Sequence, residues 1–275
     1  MFLCKEELLP IMSQPTGKIK IGLALSGAVV RGFVHIGVLQ ALEEENIRPD
    51  MIGGSSAGSI IAYLSAAGLS SQQILDLSQQ ISWLRMIRPI FSRTGFVSFE
   101  PIEKLLIRFV GDLHFEDLAI PLVVSTTDLA TGEPVLFSQG AIAPAVHASC
   151  AVPGFARPVS HGGYHSLIDG GVSNNTPSDS VRALGADFVI AVDAFAPHRR
   201  RFGGPIRVGL NAIEIMVRNS NRGPKQADCL IAPDLSDVSF YRFGQKQRMI
   251  DIGRRETEKH LDEIKQGLSQ GSTID

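Results

Sequence analysis

The sequence has little cysteine, one tryptophan and almost no net charge. Its three cysteines, Cys4, Cys150 and Cys229, stand too far apart for a CxxC metal or redox pair. They read as reduced, partly buried thiols of a cytoplasmic chain. With 26 Lys and Arg against 28 Asp and Glu, the formal charge is −2, so no overall field draws in a polyanion and no nucleic-acid partner is expected. Runs of about 18 apolar residues are also missing, which excludes a bilayer-spanning helix. The longest weakly polar run, Ser59 to Leu69, reads as a buried helix. The N-terminal stretch has Lys5, Glu6 and Glu7 in its apolar part, against a secretory signal, so residues 1–18 read as a flexible leader. Lipid, if met, is met from the water side. No repeat and no long linker divides residues 19–275, which are expected to form a single domain.

The 44% hydrophobic content is enough for a sizeable core. Ile19, Ile21, Leu23 and Leu25 alternate into Ser26-Gly27, as a first strand running into a turn does, and apolar residues at helical spacing follow from Arg31 to Asn46. "DMIGG" predicts a short strand and "SAGSIIAYLSAAG" a helix ending at Gly68. Residues 70–118 read as a helical excursion. Strands follow at "AIPLVVSTTDL" and "EPVLFSQ", a short helix at "GAIAPAVHASC", and a hairpin at "RPVSHGGYHSLIDGG" with its bend at His161-Gly162-Gly163. A helix over "TPSDSVRAL", a buried strand "FVIAV", a surface loop "HRRRFGGP", a helix "IRVGLNAIEIMVRNS", an edge strand "DCLIAPDL" and a long terminal helix complete the chain. Strands alternating with helices imply a mostly parallel sheet covered on both faces.

Gly54-Ser55-Ser56-Ala57-Gly58 satisfies G-x-S-x-G, whereas centring the pattern on Ser55 would need glycine at Ala57. The pattern makes a tight strand-to-helix turn that exposes the serine hydroxyl and aims helix N-terminal N–H groups at a reacting carbonyl. Ser56 is therefore the candidate nucleophile; close packing or phosphate binding by the same turn is the bland alternative. Upstream, "LALSGAVVRG" supplies a second such turn whose backbone donors can reach the first, an oxyanion-hole arrangement. It lacks the third glycine of G-x-G-x-x-G, and no Gly-Lys-Ser/Thr follows, so dinucleotide and P-loop chemistry do not fit.

A serine needs a base. His198, beside three arginines, and His260, on the terminal helix, read as surface residues, and a Ser-His-Asp hydrolase rests on those two. Asp169, in "LIDGGVSNNTP", ends an apolar strand before two glycines, where partial withdrawal from water makes a carboxylate a better base. A simple Asp-Gly-Gly turn is the competing reading.

"SGAVVRG", "GSSAG" and "DGG", in this order, resemble the patatin-like phospholipases, and the similarity extends over about residues 20 to 195. The resemblance implies a three-layer α/β/α sandwich with a mostly parallel central sheet. It implies a serine acyl hydrolase acting on lipid or other acyl esters through a Ser56/Asp169 dyad and an acyl-enzyme, with no histidine, metal or cofactor. The oxyanion hole would be formed by Gly27, Ala28 and Val29. Where the family has Gly-Gly-Gly, this chain has Gly27-Ala28-Val29, and β-branched Val29 is not expected to take positive φ. That departure motivates an alternative, a catalytically weak lipid-binding or regulatory protein on the same fold. Arg31 is expected either to contact a substrate phosphate or to brace the loop against a carboxylate. "ISWLRMIRPIF", Ile81 to Phe91, has the composition of an interfacial segment in peripheral membrane contact, with ordinary packing as the competing reading.

Overall fold

The computed structural model describes residues 18–195, 204–220 and 223–269. The expected leader, His198 and the Arg199–Arg201 run lie outside the described residues, apart from Lys18. In chain order the elements are β1 (Ile21–Leu25), α1 (Val34–Glu44), β2 (Met51–Ser55), α2 (Ala57–Ala66), α3 (Ser71–Ser78), α4 (Trp83–Met86), β3 (Arg88–Pro89), β4 (Val97–Ser98), α5 (Glu100–Val110), β5 (Leu122–Asp128), β6 (Pro134–Phe137), α6 (Ile142–Ser149), β7 (Val159–His161), β8 (Tyr164–Asp169), α7 (Ser178–Ala183), β9 (Phe188–Val192), α8 (Pro205–Ser220), β10 (Cys229–Ile231) and α9 (Lys246–Ser269).

One sheet runs β10-β9-β1-β2-β5-β8-β7, with β6 also on β5. The pairs β10/β9, β9/β1, β1/β2 and β2/β5 are parallel, and those joining β5, β6, β7 and β8 are antiparallel. Alternation along the central strands divides the core. Leu23, Leu25, Ile52, Leu122, Val124, Ile190 and Val192 face the large cluster under α1, α2, α6 and α9. Ala24, Met51, Val123 and Val189 face a smaller one under Val181 of α7. Helices on both faces of a mostly parallel sheet make the three-layer α/β/α sandwich, with one helical layer much the thicker.

The order of strands around β5 positions the site. Ser125 pairs with Ser55 on one edge and with Leu136 of β6 on the other. One residue on, Thr126 pairs with Asp169. Since β6 still holds the far edge there, β8 continues the line of β2 just where β2 ends. The residue after β2 and the last residue of β8 are thereby neighbours at one end of the sheet. Among the described residues, no helix is long and apolar enough to cross a membrane.

Candidate active site

Ser56 stands alone between β2 and α2, with φ 50° and ψ −123°. A non-glycine residue at such a φ costs on the order of 1–3 kcal/mol and persists only where its surroundings impose it. The impositions are visible. A Cβ on Gly54 would lie 2.5 Å from the Gly58 carbonyl carbon, and one on Gly58 would lie 2.3 Å from the Leu25 carbonyl oxygen, so both ends of the motif are packed too closely for any side chain. The Ser56 N–H donates to Ser149 Oγ at 2.7 Å, and Ser149 in turn donates to the Ser125 carbonyl at 2.6 Å. The Ser56 carbonyl accepts from Ser59 Oγ at 2.6 Å.

Asp169 is held from the same side. Its N–H donates to the Ala151 carbonyl at 2.9 Å, and its carbonyl accepts from Thr127 Oγ1 at 3.0 Å. The end of α6 therefore anchors Ser56 through Ser149 and Asp169 through Ala151. Between those anchors, the Cys150 thiol lies against the two side chains, and burial, with Asp169 nearby, pushes it well above the usual thiol range. Burial also raises the Asp169 carboxyl from 3.8 to about 6, an effect that the Ser56 hydroxyl and the Gly171 N–H partly offset. Gly171 donates to Asp169 Oδ1 at 2.8 Å. A carboxylate stripped of water, facing a hydroxyl, is chemically a base for that hydroxyl.

The "SGAVVRG" loop forms the opposite wall. A Cβ on Gly27 would meet the Ser56 Cβ at 2.9 Å, so the loop touches the serine. Against expectation, Val29 does take positive φ, 53°. The loop is pinned on both sides: Gly27 N–H donates to the Asn175 carbonyl (3.3 Å), and Val30 N–H to the Phe240 carbonyl (3.2 Å). Asn175 Nδ2 returns a bond to the Gly27 carbonyl at 3.4 Å. The N–H groups of Ala28 and Val29 have no assigned acceptor among the described residues.

Arg31 does not face the cavity as a substrate ligand. It is 1% exposed, donates to the carbonyls of Val238 (2.6 and 3.1 Å) and Leu235 (2.7 Å), and lies 3.7 Å over the Phe240 ring. Burial lowers it from 12.5 to about 10, against the pull of Glu214 and Asp234. Its side chain thus ties the loop to the main-chain carbonyls of Leu235 and Val238, within the field of Glu214 and Asp234.

Ser56, Asp169, Gly27, Ala28 and Val29 all line one cavity of about 440 Å³, whose other walls are mostly apolar: Ile60, Ile61, Ile81, Phe99, Val152, Phe155 and Phe243 among them. Among the described residues lining it there is no histidine. His35 is buried, its Nε2 donating to the Ser26 carbonyl at 2.8 Å, and burial lowers it to about 4. His260 lies on α9 beside Glu263. Ile81, Met86 and Ile87 of the "ISWLRMIRPIF" segment pack into the cavity wall, yet Leu84 and Phe91 stand fully in solvent with Phe96 close by in sequence. The segment is thus part packing and part exposed apolar surface. Ser149 and Asn175 were not singled out in sequence; each acts through a partner more than 90 residues away.

Residues 23–182, more than half of the chain, match the sequence signature described as patatin-like phospholipase. The chain belongs to that family. Among relatives, an uncharacterised NTE-family protein of Mycobacterium tuberculosis is 35% identical over 176 residues, covering 63% of this chain and 48% of that protein. Patatin-like phospholipase domain-containing protein 6 of Homo sapiens is 33% identical over 180 residues, covering 63% of this chain and 13% of that one. The chain thus matches about half the length of the mycobacterial relative and a small part of the human one. In solved structures, VipD from Legionella pneumophila shares the fold, with a TM-score of 0.62 at 15% identity over 90% of this chain and 67% of that one.

Proposed function

We propose that this patatin-like protein is a serine acyl hydrolase that cleaves lipid acyl esters through Ser56 and Asp169. The observation that carries the reading is the strained Ser56 beside a buried, base-like Asp169 at the inner end of an apolar cavity. An acyl chain lies along Ile60, Ile61, Phe99 and Phe155, and brings its ester carbonyl to Ser56. Ser56 Oγ attacks the carbonyl carbon as Asp169 takes the hydroxyl proton. The tetrahedral oxyanion is met by the N–H groups of Ala28 and Val29, with Gly27 holding the loop against the serine. Asp169 then gives its proton to the departing alcohol, leaving an acyl-enzyme. Water enters, loses a proton to Asp169 and attacks the acyl carbon; the proton returns to Ser56 as the fatty acid leaves. No cofactor is needed in these steps.

The alternative of a catalytically weak lipid-binding or regulatory protein rests on Ala28 and Val29 in the loop, and the positive φ of 53° at Val29 favours the hydrolase over it. Peripheral membrane contact fits the outside of the cavity wall, where exposed Leu84, Phe91 and Phe96 are interspersed with exposed Arg85 and Arg93. A fluorophosphonate probe is expected to label the wild type and not Ser56→Ala, and a panel of phospholipids, lysophospholipids and p-nitrophenyl esters is expected to show Ser56-dependent turnover. Full turnover by Ser56→Ala would sink the proposal. The paired change Leu84→Ser with Phe91→Ser should slow hydrolysis of anionic vesicles while sparing soluble esters, and equal loss on both would remove the membrane reading.

A further inference from the structure

Far from the serine in the chain, Cys229, His260 and Glu263 bring a thiol, an imidazole and a carboxylate together, with all three donor atoms within 4.8 Å of one another. None of the three lines the acyl cavity. Cys229 opens the edge strand β10, paired in register with Ile190 of β9, and is buried against α9. His260 and Glu263 stand three residues apart on α9 and so share the face that Cys229 meets. Buried Thr257 and Ile264 on α9 hold that helix in place around them.

We propose that these residues form a binding site for a divalent transition-metal cation of the zinc class, with Cys229 Sγ, His260 Nδ1 and a Glu263 carboxylate oxygen as protein ligands and water as the fourth.

The donor distances are those a small tetrahedral ion needs. Bonds of about 2.0–2.3 Å to N, O and S put neighbouring donors about 3.3–3.7 Å apart. Cys229 Sγ lies 3.7 Å from Glu263 Oε2, and His260 Nδ1 lies 2.9 Å from the same oxygen. A shift of a few tenths of an ångström opens the second distance to the required edge. The ring's other nitrogen, Nε2, is 3.9 Å from Glu256 Oε1. An approach of about 1 Å would let that carboxylate accept the remaining N–H of a metal-bound imidazole and so steady it. The mixed S, N and O set suits zinc or cobalt rather than calcium or magnesium, which take oxygen ligands. Binding displaces the Cys229 thiol proton and any proton on His260 Nδ1 to solvent, while Nε2 keeps its own. The ion would tie the last strand of the sheet to the C-terminal helix.

The full-length chain, stripped with a chelator and titrated with Co2+ alone, tests this. Wild type is expected to give thiolate-to-cobalt charge-transfer absorption together with the intense visible bands of four-coordinate cobalt, both bleached by added Zn2+. Cys229→Ser should lose the charge-transfer band, although Cys4 and Cys150 remain. His260→Ala, which changes a partly exposed side chain and should fold normally, should bind Co2+ at least about tenfold more weakly and lose the rise in Tm that Zn2+ gives the wild type; Glu256→Gln should weaken binding about tenfold. No charge-transfer band in the wild type, an unchanged band in Cys229→Ser, or an unchanged affinity in His260→Ala would each overturn the site. Because the readouts are optical and thermal, they stand whether or not Ser56 hydrolyses esters.

Discussion

Asparagine at position 169 has the shape of the aspartate and lacks its charge. Burial holds the Asp169 carboxyl at about 6, against 3.8 for the ordinary group. Below pH 3.8 both folded and unfolded chains carry it protonated, and burial costs little. Between 3.8 and about 6 the unfolded chain releases the proton first, so this group's contribution to stability falls as pH rises through that window. Above it the folded state carries a buried charge. A shift of about 2 pKa units corresponds to about 3 kcal/mol, an order-of-magnitude figure. Asp169→Asn removes that cost and can keep the acceptor for the Gly171 N–H. Its Tm should exceed that of the wild type by about 5–10 °C at pH 8, and the difference should shrink toward zero near pH 4. The same variant should lose nearly all esterase turnover. For the wild type, kcat/KM should rise with pH through about 6 and then level, since only the ionised carboxyl can take the serine proton. Calorimetry across pH 4 to 8 decides the matter: an Asp169→Asn protein no more stable than wild type at pH 8 would refute the reasoning.

Three further outcomes follow from the loop. Val29→Gly removes the left-handed strain and should leave kcat within about threefold, less than about 0.7 kcal/mol, because the N–H directions are already set by the backbone; a tenfold gain would mean that valine had been distorting the hole. Asn175→Ala, which deletes the bond from Nδ2 to the Gly27 carbonyl, should lower kcat about tenfold with Tm little changed, about 1.4 kcal/mol in the transition state; a loss confined to KM would instead make Asn175 a substrate contact. Arg31→Lys cannot span the Val238 and Leu235 carbonyls and should cost about 2 kcal/mol of stability, read by urea denaturation. It should slow neutral short-chain esters as much as phospholipids, and selective loss on phospholipids would restore the phosphate role.

The alternation in β1, the glycine-bounded turn at Ser56 and the Asp169-Gly170-Gly171 strand end are local signals, and for that reason they could be read in sequence. The sequence leaves two roles open for Arg31 because two of its acceptors, the main-chain carbonyls of Leu235 and Val238, lie more than 200 residues away, where no side-chain pattern announces them. Val29 departs from expectation for the opposite reason: its intrinsic preference is plain in sequence, but the bonds from Gly27 to Asn175 and from Val30 to Phe240 that override it are tertiary. The exposure of Leu84 and Phe91 was half legible, since the apolar and basic mixture is visible while the inward turn of Met86 and Ile87 is not.

The succession of β2 by β8 along one edge of β5 has a bearing on how such a protein can change. Ser55 and Asp169 are indexed to Ser125 and Thr126, consecutive rungs of a single strand. The spacing of Ser56 and Asp169 is thus set by the pleat of β5 and is indifferent to the length of chain that separates them in sequence. The exposed stretch around Leu84, Phe91 and Phe96 can be re-decorated without altering that spacing. A one-residue slip of β8, by contrast, would turn Asp169 to the other face of the sheet and end it.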